Sequence, residues 1–260
     1  MAGTGVKKKL VIGNWKMHGA LHSNRALLES LRDCWRPSHA VEMVVCPPAV
    51  YLAQVQSTLQ DSAVAWGAQD LSDQQQGAFT GELSARMLHE FGCTHVLVGH
   101  SERRTRLQEQ PEQVAAKAVA GISAGLTTVV CLGESAAERA DGATLDVLAQ
   151  HLQAVLSRLP VAAGGLDRLV LAYEPLWAIG TGQHASAAVA QEVHAALRSM
   201  LVEIDPVAAQ GVRILYGGSV KATNAAEYAA QRDIDGVLVG GASLQAAEFL
   251  EIGAAFLPAS

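Results

Sequence analysis

The stretch "VRILYGGSVKATNAAEYAAQRDIDGVLVGGAS" (212–243) holds one complete structural unit and the opening of the next. It begins as an apolar run, Val212 to Tyr216, and breaks at Gly217 and Gly218. An alanine-rich segment with helical spacing follows, and a second apolar run, Val237 to Val239, breaks again at Gly240 and Gly241. Apolar runs without polar alternation suit strands covered on both faces, as in a parallel sheet behind helices. The same order recurs along the chain: "KLVIGNW" (9–15), "VEMVVC" (41–46), "AVAWGA" (63–68), "THVLVGH" (94–100), "TTVVCLG" (127–133) and "RLVLAYE" (168–174) are further runs of this kind. Amphipathic segments lie between them, among them "ALLESLRDCW" (26–35), "LDVLAQHLQAVLSRL" (145–159) and "AQEVHAALRSML" (190–201), and a helix-like "LQAAEFLEIGAAFL" (244–257) ends the series. Eight β-then-α units predict a closed (β/α)8 barrel of the α/β class, with an open doubly wound sheet as the other arrangement the pattern admits. No linker or composition shift divides residues 1–260, so one domain is expected.

Composition narrows the function. Half of the 260 residues are hydrophobic and 17% are charged, which is a globular balance with a sizeable core. The net charge is −6 and the 19 Lys and Arg residues are dispersed, which argues against nucleic acid and an anionic membrane surface. An anionic substrate would therefore have to be attracted by a local arrangement. The four cysteines, Cys34, Cys46, Cys93 and Cys131, form no C-x-x-C pair and read as reduced thiols, mostly buried. The apolar stretch after Lys7–Lys9 is broken at Asn14 and Lys16, too short for a signal peptide or a span, so a cytoplasmic location is expected.

The informative residues stand at strand ends, which share one rim in a barrel. They are Asn14 and Lys16, Gln69, His100, Cys131 with Glu134, Glu174, and the turns Gly217–Ser219 and Gly240–Ser243. His100 precedes "SERR", where Ser101 reads as a helix N-cap, and a helix N-terminus disfavours the charged form of a neighbouring imidazole. Each of these side chains also has an ordinary reading: a surface lysine, a satisfied core histidine, a paired glutamate, a turn asparagine. The glycine turns after the last two strands fit a phosphate, held by backbone N–H groups and a helix N-terminus. Together they point to acid–base chemistry beside a carbonyl on a small phosphorylated compound. Two motifs mislead. "GISAG" (121–125) matches a nucleophile elbow in letters only, because Ser123 ends a helix instead of following a strand. "HEFGCTH" (89–95) spaces His89 and His95 six residues apart, too far for one helical metal-binding face. No metal site and no dinucleotide fingerprint emerges, so no cofactor is expected.

The chain also resembles the triosephosphate isomerase family over nearly its whole length. The resemblance rests on "GNWKMHG" (13–19), "GAQDLS" (67–72), "GAFTGE" (77–82), "VGHSERR" (98–104), "CLGES" (131–135), "AYEPLWAIGTG" (172–182), "YGGSV" (216–220) and "GVLVGGASL" (236–244), in order and one per strand end. It implies Glu174 as the base that moves a proton between adjacent carbons. His100 would polarise the carbonyl oxygens, and Lys16 would stabilise the enediolate with Asn14 beside it. The backbone at Gly180, Ser219, Gly240 and Gly241 would bind phosphate, while Glu102 and Cys131 would support the site. A glutamate base beside a neutral histidine is the family's known pattern and comes with the resemblance. The resemblance further implies a lid over residues 175–185 and a homodimer through the 74–82 loop, docking beside Asn14 and Lys16. His18 stands where the family more often has Asn, and Gln183–His184 where a Lys-Thr pair is common; both flank the site. Another phosphosugar barrel would need metal ligands or paired aspartates at the strand ends, and a non-catalytic binding barrel would lack Glu174, His100 or Lys16.

Overall fold

The computed structural model describes residues 7–159, 164–178 and 185–258. Eight strands alternate with helices: β1 (Lys9–Asn14), β2 (Val41–Cys46), β3 (Val64–Ala68), β4 (His95–Val98), β5 (Thr127–Leu132), β6 (Leu169–Tyr173), β7 (Arg213–Tyr216) and β8 (Gly236–Val239). Each pairs in parallel with its neighbour in sequence, and β8 returns to β1 with Leu10 opposite Gly236, closing the barrel. The (β/α)8 reading holds, and the open sheet is excluded by that last pairing.

The helices are α1 (Leu21–Cys34), α2 (Leu52–Leu59), α3 (Ala85–Glu90), α4 (Ser101–Leu107), α5 (Pro111–Ser123), α6 (Ala136–Ala140), α7 (Thr144–Leu156), α8 (Ala187–Ile204), α9 (Ala222–Ala229) and α10 (Ala246–Ala254). Their starts follow local chemistry. Ser84 and Ser186 accept N–H groups from the first turns of α3 and α8, Ser135 and Glu138 cap α6 reciprocally, and Pro111 occupies the first position of α5. Ser123 ends α5 and His89 lies on the exposed surface of α3, so both misleading motifs fall where the sequence placed them.

Alternation along the strands creates two cores. Outward residues such as Val11, Met43, Val45, Val98, Leu171 and Ile214 pack under the helices. Inward residues, among them Leu10, Ile12, Val44, Leu97, Val129, Val170, Ala172 and Leu215, fill the lumen. Continuing the inward series by two residues reaches Asn14 on β1, and Glu174 just past the end of β6. Strand register therefore aims both at the C-terminal mouth. Cys46 and Cys131 lie in the inner core and Cys93 is buried, whereas Cys34 is exposed; all four thiols are free.

Candidate active site

Glu174 is buried, at 1% exposure, yet no lysine or arginine among the described residues pairs with it. Its Oε2 accepts the Ser101 N–H at 2.9 Å and its Oε1 lies 3.1 Å from His100 Nε2. His100 Nδ1 in turn accepts the Glu102 N–H at 3.2 Å. A nitrogen that accepts cannot also carry the ring proton, so the bond puts that proton on Nε2, facing Glu174. This corrects the expectation that Ser101 caps α4. His100 is the cap through its own ring, and Ser101 is the first helical residue. Standing two residues past the end of β4 and capping the next helix with its side chain, His100 has its ring orientation set by that bond.

Alternation alone would turn His100 outward, because the inward positions on β4 are His95 and Leu97. Gly99 breaks the series with φ of +67°, a left-handed conformation available to glycine at little cost, and a Cβ there would meet Val114 Cγ1 at 2.6 Å. Gly217 has a comparable role opposite: a Cβ would stand 2.8 Å from Glu174 Cγ. Bare backbone thus turns the chain at Gly99 and makes room for the carboxylate at Gly217.

Lys16 also takes a left-handed φ, +51°, uncommon for a side chain of its kind. Asn14 Oδ1 holds it there by accepting the Lys16 N–H at 2.9 Å, and Gln69 Nε2 donates to the Lys16 carbonyl at 2.8 Å. The side chain is half-buried, and its Nζ lies 2.7 Å from Glu102 Oε1. Burial pushes the Glu102 carboxyl up, but the Lys16 ammonium, together with other nearby basic groups, holds it below its ordinary value. Cys131 lies beneath Glu174, and burial, with the nearby carboxylate, pushes its thiol well up. It is a packing group and no nucleophile.

These side chains open onto one cleft of about 370 Å³. Asn14, Lys16, His100 and Glu174 line it together with Gly217, Gly218, Ser219, Val220, Gly240 and Gly241. The N–H groups of Gly218, Ser219 and Val220 find no acceptor among the described residues. Successive free N–H groups ahead of a helix form an anion-binding concavity. Gly180 and the departures Gln183 and His184 lie outside the described residues; Ser219, Gly240 and Gly241 line the cleft. Lys221 and Glu248 also line it, and neither was picked out from sequence.

Glu134 is a further residue whose place sequence reasoning did not resolve. Fully buried, it accepts at Oε1 from Tyr173 Oη (3.1 Å), Trp177 Nε1 (2.9 Å) and Arg139 Nη1 (3.4 Å). The Leu176 N–H donates to its carbonyl at 3.1 Å, and the Arg139 guanidinium lies 4.6 Å over the Trp177 ring. The chain just after the carboxylate is therefore docked: residues Leu176–Ala178 form a 3-10 turn with Ala178 buried. Three donors converging on a single carboxylate oxygen have no simple sequence signal. Among the described residues no cluster of three or more His, Cys, Asp or Glu could hold a metal ion, and no helix is long and apolar enough to cross a membrane.

A carboxylate, an imidazole and an ammonium meeting at the C-terminal mouth of a (β/α)8 barrel make this an enzyme of acid–base type. Comparison with known proteins specifies which one. Residues 9–256 match the family model described as triosephosphate isomerase. A triosephosphate isomerase of Dechloromonas aromatica is 57% identical over 247 residues, covering 95% of this chain and 98% of the relative. Those of Bordetella pertussis and Cupriavidus necator are 56% and 54% identical, over 96% and 95% of this chain and 98% and 99% of their own lengths. The chain belongs to the triosephosphate isomerase family.

Proposed function

We propose that this chain interconverts D-glyceraldehyde 3-phosphate and dihydroxyacetone phosphate, an aldose–ketose isomerisation, by proton transfer through an enediolate. The observation that carries the reading is that Glu174, His100 and Lys16 line one cleft with Gly218, Ser219 and Val220, whose backbone N–H groups have no acceptor among the described residues. A proton next to a carbonyl is too weakly acidic for a lone carboxylate, so negative charge on oxygen must be stabilised as it forms. Glu174 takes the proton from carbon. The Nε2–H of His100 donates to the carbonyl oxygen, and the Lys16 ammonium, steadied by Asn14, attracts the developing oxyanion. Ser219, Gly240 and Gly241, with Gly180, hold the phosphate, while Glu102 and Cys131 support Lys16 and Glu174.

Both oxygens of Glu174 are already engaged, by Ser101 and His100. A bound substrate must therefore compete for His100 and free the carboxylate to reach carbon. Phosphate contacts remote from the reacting carbons supply energy for that shift and for closing the segment 175–185 as a lid. The bonds from Leu176 and Trp177 to Glu134 give that lid a fixed stem. No cofactor takes part.

The reading extends to a cytoplasmic homodimer whose 74–82 loop docks beside Asn14 and Lys16 of a second copy, with residues 1–260 acting as one domain. Exposed apolar side chains support the dimer: Met17 (94%) and Val50 (80%) lie on loops joined by the Tyr51 Oη–Gly19 O bond, and Phe79 and Leu107 line one groove. A coupled isomerase assay on purified protein with added chelator tests the activity. Turnover unaffected by chelator is expected, and no turnover of glyceraldehyde 3-phosphate would overturn the reading. Light scattering tests the dimer, which a fully active monomer would contradict.

A further inference from the structure

We propose that Asn224 is a positioning residue for the substrate's phosphate, acting through the Ser219–Val220 peptide; the inference rests on the reading above. Asn224 is the third residue of α9. Its Oδ1 accepts the Lys221 N–H at 2.8 Å, and its own N–H donates to the Lys221 carbonyl at 3.2 Å. These two bonds are what a helix start needs. A third is not: Asn224 Nδ2 donates to the carbonyl of Ser219 at 3.3 Å, outside the helix and ahead of its cap.

That third bond sets the direction of a peptide unit. In a planar trans peptide the C=O and the N–H point opposite ways. Ser219 O and Val220 N–H belong to the same unit, and Ser219 O is tied to a residue that does not line the cleft. Val220 does line the cleft, and its N–H has no acceptor among the described residues. Holding the carbonyl back therefore presents the Val220 N–H to an anion and keeps a carbonyl oxygen out of its way. The Asn224 amide does both jobs, because it accepts from Lys221 and donates to Ser219 at once.

Two variants separate the roles. Asn224→Asp keeps an acceptor for the Lys221 N–H and adds a charge favourable to a helix N-terminus, but sets an anionic oxygen against Ser219 O. Asn224→Leu removes both side-chain bonds without adding charge. The expected result is a KM for glyceraldehyde 3-phosphate and a Ki for inorganic phosphate raised about tenfold in both variants, the scale of one lost hydrogen bond to a charged ligand. Thermal stability should hold or rise in Asn224→Asp and fall in Asn224→Leu. Turnover of unphosphorylated glyceraldehyde should match the parent in both. A Leu variant with the parent's phosphate Ki would overturn the inference, since the Asp effect would then be simple repulsion. A parent protein neither turning over glyceraldehyde 3-phosphate nor inhibited by phosphate would instead bring down the functional reading, and this inference with it.

Discussion

The two mouths of the barrel treat charge in opposite ways. At the N-terminal mouth, inward side chains at the strand starts are paired across the lumen: Glu42 on β2 meets Arg213 on β7 at 2.7 Å, with His95 of β4 at 3.6 Å. Beside them Asp235, at the foot of β8, takes Lys7 at 2.8 Å, Arg198 at 2.7 Å and the Ile214 N–H at 3.0 Å. At the C-terminal mouth the inward Glu174 has only an N–H and an imidazole, and three backbone N–H groups lining the same cleft have no acceptor among the described residues. The same alternation of side chains produces both ends. What differs is the partner: the carboxylates below meet lysine and arginine, whereas Glu174 above meets only an N–H and an imidazole. On the proposed function, polar groups below serve stability and those above serve chemistry.

The largest test of that division is Glu174→Gln. If Glu174 is the base proposed above, its loss should lower kcat by about 10³–10⁴-fold. Glu174→Asp, which sets the carboxylate back by roughly 1 Å, should lose about 10²-fold. Melting temperature and circular dichroism should barely change in either, because no lysine or arginine among the described residues forms an ion pair with Glu174. A variant that lost stability in step with activity would make Glu174 structural and break the comparison.

At the other mouth the effects should exchange. Asp235→Asn leaves Lys7 and Arg198, both partly buried, without their shared counter-charge, a change that costs about 3 kcal/mol. Urea denaturation should register it, while kcat per folded molecule stays at the parent value. A tenfold fall in kcat at unchanged stability would show that the two mouths are coupled.

How much of this was legible in sequence follows from the same physics. The strands were legible because a strand buried on both faces leaves an unbroken apolar run; β2 matches its run residue for residue. Their ends were less so, since runs such as "VRILYGG" continue into the glycines where β7 has already stopped at Tyr216. α1 begins at Leu21, five residues before its periodic stretch, because that first turn is mostly exposed and bears no apolar face. Asn14 and Glu174 were legible as strand-end polar groups, and period-two alternation even gives their direction. His100 was legible as a position but not as a geometry: its aim depends on the φ of Gly99, and its capping bond displaced the one expected of Ser101. Contacts such as Lys16 with Glu102, Trp177 with Glu134, or Asn224 with Ser219 depend on which loops the closed barrel brings side by side, and no local pattern encodes that. The roles of the site residues entered through resemblance, not through spacing.

The finest test of the comparison is one of pH. His95 sits in the N-terminal mouth among Glu42, Arg213 and Thr94, with Nε2 unbonded, and burial depresses its pKa to about 4. Burial likewise brings His151 and His194 to about 4. An unfolded histidine titrates near about 6.5, so between these values the unfolded chain binds the extra proton and the folded one does not. The stability from each buried neutral ring is therefore complete above about pH 6.5 and is lost as pH falls toward 4. At pH 5 the loss amounts to about 2 kcal/mol per ring. His95→Gln should remove one such share, narrowing the difference between urea stabilities at about pH 7.5 and about pH 5, and should leave isomerase turnover at the higher pH unchanged. An equal acid loss in parent and variant would mean that His95 is protonated as readily folded as unfolded. The N-terminal mouth would then be as open to water as the rim, and the contrast between a sealed end and a working end would fail.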